Sequence, residues 1–105
     1  MKPSRLRPQA EADLIDAAQF YQAQGGAKLP TRFFDTALGS LDRVARMPGM
    51  GSLRLGQLCE IPGLRSWAVT GFAHRWFYFE RRGYLDVVRL LGERQDIIVI
   101  LAEGD

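Results

Sequence analysis

The sequence predicts an α+β fold in which a helical hairpin packs on a small antiparallel sheet, with elements in the order β-α-α-β-β-β. Three observations predict it. Two stretches in the first half carry apolar residues at helical spacing, joined only by Gly25-Gly26. The stretch from Gly63 to Asp96 carries β-branched residues and aromatics in runs broken by turn signals. A sheet with one apolar face must be covered, and the helical hairpin is the cover at hand. At 105 residues the chain has length for one hydrophobic core, so a single domain spanning 1–105 is expected.

Each element has its own warrant. Ser4 to Arg7 is a short strand candidate stopped by Pro8, expected at an edge of the sheet. The first helix is predicted from Gln9 to Gln24. Pro8 sits where a missing N–H costs little, and Glu11, Asp13 and Asp16 favour the positive end of the helix dipole. Leu14, Ala17, Ala18 and Tyr21 form its buried stripe, and Gly25-Gly26 permits a left-handed cap.

The second helix is predicted from Ala27 to Met47. Leu29, Phe33, Phe34, Ala37, Leu38, Leu41, Val44 and Ala45 recur at i, i+3, i+4 and i+7, and Pro30 fits only in the first turn. Core packing accounts for this aromatic stripe without a cofactor pocket. Pro48-Gly49-Met50-Gly51 ends the helix. Ser52 to Pro62 reads as a connector with a short strand near Leu58 to Ile61. Three strands follow: Leu64 to Phe72, Arg75 to Arg81, and Tyr84 to about Gly92, turning at Ala73-His74 and Arg82-Gly83. The apolar segment Ile97-Ile98-Val99-Ile100-Leu101 is expected either to pack on the sheet edge as a last strand or helix, or to be partly exposed.

Composition narrows the function classes. A hydrophobic fraction of 47% with 25% charged residues is ordinary for a globular chain and argues against disorder. A single cysteine, Cys59, excludes an internal disulfide framework and a multi-cysteine metal site, and is expected to be a buried thiol. No window approaches the length of apolar residues that a membrane span needs, and MKPSRLRPQA lacks a signal-peptide core, so a cytoplasmic protein without membrane contact is expected. Neither a metal nor another cofactor is implied.

The net charge is only +2, but its distribution is uneven. Twelve of the fourteen basic residues are arginine. From Arg43 to Arg94 nine arginines face Glu60, Glu80, Asp86 and Glu93, and the end carries Asp96, Glu103 and Asp105. Arginine suits bidentate contact with carboxylate or phosphate. The strand region therefore reads as a surface for an anionic ligand or an acidic partner.

The order of these pieces resembles the RelE/ParE superfamily of type II toxin–antitoxin toxins. RLRPQAEADLIDAAQFY resembles the first strand and helix of that family, and PTRFFDTALGSLDRVARMPGMG its second helix and Pro-Gly stop. GLRSWAVTGFAHRWFYFERRG resembles its central hairpin, and LDVVRLLGERQDI its last core strand and turn. The resemblance spans nearly the whole chain. It implies a microbial-ribonuclease-like α+β fold and a cognate antitoxin, with a DNA-binding half and an acidic, partly disordered tail, through which alone operator DNA is met.

Two chemistries compete within that superfamily. RelE-like members cleave messenger RNA on the ribosome, whereas the ParE branch poisons DNA gyrase without cutting RNA. Cleavage requires proton-transfer groups for the ribose 2′-OH and the leaving oxygen, and cations for the phosphorane charge. Arg65 and Arg89, on different strands, can face one side. RNA-cleaving relatives commonly carry a histidine or tyrosine just past the last core strand, where this chain reads GERQDII. His74, the only histidine, is expected as a solvent-exposed turn residue, and Tyr78 as a packing residue. No catalytic residue is therefore assigned. Arg65, Arg89 and Arg94, with the segment from Asp96 to Leu101, are expected to meet the target, DNA gyrase. Arg75, Trp76 and Arg82 are expected to contact or flank the antitoxin, with Trp67 and Trp76 open to a core role instead. A ribosome-dependent endoribonuclease and a non-toxic antitoxin-binding module are the alternatives.

Overall fold

The structure, a computed structural model, describes residues 2–25 and 28–103. Gly26 and Ala27, part of the expected cap and the expected start of the second helix, lie outside the described residues. The element order is β1 Ser4–Leu6, α1 Pro8–Gly25, α2 Leu29–Arg46, a 3-10 turn Pro48–Met50, α3 Arg54–Leu58, β2 Arg65–Ala68, β3 His74–Arg81, β4 Tyr84–Gly92 and α4 Ile97–Glu103. The architecture is α+β, as the sequence predicts.

The sheet has the order β1-β4-β3-β2. The β2–β3 and β3–β4 pairs are antiparallel, as expected of a meander. β1 joins the sheet at its edge, as expected, and makes it mixed by pairing with β4 in parallel, Ser4 opposite Leu85 and Leu6 opposite Val87. No hairpin joins β1 to β4, so turn geometry does not set their direction. β1 enters at the free edge of β4, and the N–H groups of Leu85 and Arg7 donate to the carbonyls of Pro3 and Val87.

The two sheet faces carry different covers. Trp76, Tyr78, Leu85, Val87 and Leu90 pack beneath α1 and α2 with Ala10, Ala17, Ala18, Tyr21, Phe33, Ala37, Leu41, Val44 and Ala45. Leu14, expected in this stripe, is half-buried, and Leu38 of α2 is exposed. The opposite face packs Leu64, Phe77, Val88 and Leu91 against Leu101 of α4, with Leu55, Cys59 and Ile61 beside them. Cys59 is half-buried rather than buried. Alternation along β3 assigns the faces: His74, Trp76 and Tyr78 point to the helical hairpin, and Arg75, Phe77, Phe79 and Arg81 to the outer side. A bulge beside Phe77 and Tyr78 inserts Val88 and leaves both Val88 and Arg89 on the outer side.

Two local readings change. The connector holds a helix, Arg54–Leu58, in place of the expected strand near Leu58 to Ile61. Ser52 Oγ accepts from the Arg54 N–H, a local side-chain turn just before the helix. The apolar tail forms α4, whose Leu101 is buried and whose Ile98 and Val99 are half exposed. Pro30 lies in the first turn of α2, as its chemistry requires. The stop after α2 has a structural use: buried Tyr78 donates its hydroxyl to the Pro48 carbonyl at 2.6 Å and accepts from Gly51 N–H at 3.1 Å. A Cβ on Gly51 would land on that hydroxyl, so the turn and the sheet meet only through glycine.

Candidate functional site

The arginines of the strand region separate by face and by partner. Arg89 lies on the outer side and reaches round the β4 edge to Asp13 of α1, with Nε at 2.7 Å from Oδ2 and Nη2 at 3.0 Å from Oδ1. Asp13 Oδ2 also accepts the Leu90 N–H at 3.0 Å, so this carboxylate seals the edge of β4 beyond the end of β1. The Asp13 side chain is 7% exposed and that of Arg89 16%. Arg65 stands opposite Tyr78 on the helical side, and its Nη1 donates to the Gly51 carbonyl at 2.8 Å and more weakly to that of Gly49. Since Arg89 stands opposite Phe77, Arg65 and Arg89 face opposite sides of the sheet, and the expectation that they share one is corrected.

Arg75 is half-buried and donates through Nε and Nη2 to Ser66 Oγ. Trp76 is fully buried, its Nε1–H donating to the Ala37 carbonyl at 2.9 Å. Of its two readings the core one holds, and Trp76 is withdrawn as a surface contact. Arg7 and Arg81 share Asp86, whose carboxyl is held below the ordinary carboxylate value first by the Arg7 hydrogen bond. Arg81 also lies over the Phe79 ring and Arg5 over that of Tyr84. Arg82 in the β3–β4 turn and Arg94 after β4 are exposed and make no ion pair or hydrogen bond through their side chains among the described residues.

His74 is the residue that sequence reasoning misplaced. It starts β3, stands opposite Gly92 and is 8% exposed rather than open to solvent. Phe20, Tyr21 and Phe33 surround its ring. Tyr21 Oη accepts from the Ala73 N–H at 3.1 Å and shares a hydrogen bond of 2.9 Å with His74 Nδ1. With the ring proton on Nε2, Tyr21 donates its hydroxyl to Nδ1; with it on Nδ1, the direction reverses. Burial lowers the His74 pKa and raises that of Tyr21, so both are neutral near pH 7. A usable signal was present: His74, Trp76 and Tyr78 share a period-2 face, and Tyr21 lies on the buried stripe of α1.

This pair opens on a cavity of about 340 Å³ between α1, the β2–β3 loop and the turn after β4. Phe20, Tyr21, Phe72 and Leu90 line it, with Asp16, Glu93 and Arg94 among its polar groups. The structure thus brings the sole histidine next to the segment where RNA-cleaving relatives carry a proton-transfer group. It does so among carboxylates: Asp16 and Glu93 outnumber Arg94, and Asp13 is already matched by Arg89. Such a cavity repels a phosphodiester. Among the described residues no cluster of His, Cys, Asp and Glu could hold a metal ion, and no helix is long and apolar enough to cross a membrane.

Comparison with known proteins bears on the fold and the family. None of the curated proteins compared matches the sequence. Among solved structures the chain is similar to one from the chromosomal ParDE toxin–antitoxin system of P. aeruginosa, at 15% identity and a TM-score of 0.72, covering 88% of this chain and 96% of that one. That likeness is one of fold. Residues 5–101 match the model of the ParE toxin of the parDE type II toxin–antitoxin system. With nearly its whole length matched, the chain belongs to the ParE toxin family.

Proposed function

We propose that this toxin acts by binding DNA gyrase rather than by cutting RNA, and that a cognate antitoxin with an acidic tail neutralises it in the cytoplasm. One observation carries the non-catalytic reading. The only histidine is held neutral in a carboxylate-lined cavity, while Arg65 spends its donors on the turn at Gly51 and Arg89 its own on Asp13 at the β4 edge. General acid–base cleavage needs cations and proton-transfer groups converging on one phosphate, and this arrangement disperses them.

Arg94 and Arg65 are the proposed target contacts; Arg94 is exposed and Arg65 keeps part of its surface open. Arg89 serves the fold by this reading. Arg75 and Arg82, on the outer side and at the β3–β4 turn, are the proposed partners of antitoxin carboxylates. The deciding experiment assays the purified chain against gyrase supercoiling and, in parallel, in an in vitro translation reaction. Inhibited supercoiling with intact messenger RNA is the expected result. Codon-level cleavage with unaffected supercoiling would overturn the reading and turn attention to His74 Nε2.

A further inference from the structure

The cavity beside His74 has features that the toxin fold does not explain. His74 is more than nine-tenths buried, yet only its Nδ1 is bonded. Nε2 has no hydrogen-bond partner and is not sealed from solvent, so its free edge opens on the cavity that the ring lines. In the tautomer that carries Nε2–H, His74 offers the cavity a hydrogen-bond donor. Around it the wall is apolar and aromatic, and Phe20 stands 41% exposed. An apolar cleft with a few convergent polar groups is the usual form of a small-ligand site. Gly92 contributes to the fit: a Cβ there would stand 3.1 Å from His74 Nε2 and narrow the space before it.

The charges select the ligand. Asp16 and Glu93 make no side-chain hydrogen bond or ion pair among the described residues, while Asp13 is neutralised by Arg89. Against them stands Arg94 alone, leaving an excess of one negative charge. We propose that this cavity binds a small organic cation, an ammonium or guanidinium group on an aromatic or aliphatic stem that also presents a hydrogen-bond acceptor. The acceptor meets His74 Nε2–H, the stem lies along Phe20 and Phe72, and the cation meets Asp16 and Glu93. A free aromatic amine or a basic side chain offered by a partner protein satisfies the same chemistry. The assignment stands apart from the choice of gyrase as target.

The test follows the His74 imidazole and the Phe20 and Gly92 amides by NMR while the intact chain is titrated with tyramine, arginine amide, 4-hydroxyphenylacetate or inorganic phosphate. Saturable shifts with tyramine or arginine amide, and none with the two anions, are expected. Tyramine alone binding identifies a free amine; arginine amide alone identifies a side chain from a partner. Loss of two exposed carboxylates in D16N/E93Q should weaken binding about tenfold while leaving the amide spectrum of the fold in place. Below the native His74 pKa, binding should fall as the ring charges beside Tyr21, Asp13, Asp16, Glu93, Arg94 and Arg89. Failure of both cations to bind, equal binding of the anions, or unchanged affinity in D16N/E93Q would each overturn the proposal.

Discussion

Replacing Asp13 with alanine tests whether one carboxylate holds α1 to the sheet. The change removes four hydrogen bonds, two from Arg89, one from the Leu90 amide and a longer one from Gln9 Nε2. It strands a guanidinium that is only 16% exposed. An orphaned buried charge costs about 3–5 kcal/mol and an unpaired buried amide about 1–3 kcal/mol. Arg89 also lines the outer-side cleft with Phe79 and Val88 and can turn toward water there, which favours a total near the lower end, about 4 kcal/mol. For a chain of this size that lowers Tm by about 15–30 °C. Urea unfolding followed by circular dichroism measures it. The variant D13L/R89M removes both charges together and should regain about half the loss, the unpaired Leu90 amide accounting for the remainder. A D13A loss below about 1 kcal/mol would refute the reasoning, because the pair would then behave as a surface ion pair. The double variant also bears on function: if Arg89 serves only the fold, gyrase inhibition should follow the folded fraction.

The remaining predictions address other sites. Arg94→Glu should leave stability within about 0.5 kcal/mol and abolish inhibition of supercoiling, and retained inhibition would remove Arg94 from the target surface. Gly51→Ala should cost about 2–3 kcal/mol by driving a methyl into Tyr78, and adding Tyr78→Phe should make the double variant lose less than the sum of the singles in urea. Burial holds His74 below its ordinary 6.5, so between that value and the native one the unfolded chain binds the extra proton. Its contribution is whole above about pH 6.5 and is lost as pH falls through the native pKa; His74→Gln should flatten this part of the stability profile, and an unchanged slope would count against it. Asp86 titrates below its ordinary 3.8, so Asp86→Asn should cost about 1 kcal/mol at neutral pH and progressively less as pH drops through the native value.

Much of the fold was legible because patterning and punctuation agreed. The apolar stripes of α1 and α2, Pro30 and the Arg82-Gly83 turn each have a local cause that a sequence displays. The direction of β1 was not legible, since pairing with β4 is a long-range contact without a turn to dictate its sense. The helix at Arg54–Leu58 is too short to show a period. The site was harder still. Composition displays arginines, but whether Arg89 faces a target or Asp13 depends on a bulge and on a residue 76 positions away. Ala73-His74 follows a run of strand formers, so the sequence alone places His74 in a turn. In fact β2 ends at Ala68, the turn falls earlier, and His74 becomes the first inward residue of β3.

The parallel pairing of β1 with β4 also governs when the fold can be completed. Ser4 meets Leu85, so β1 waits for β4 before the sheet closes. Asp13 likewise waits for Arg89 and Leu90. Contacts of such long sequence separation form late and slow folding. A nascent chain therefore cannot close its sheet until β4 has left the ribosome. Closure of the sheet is thus tied to two strands far apart in the sequence, and a chain that stops before β4 leaves β1 without its partner.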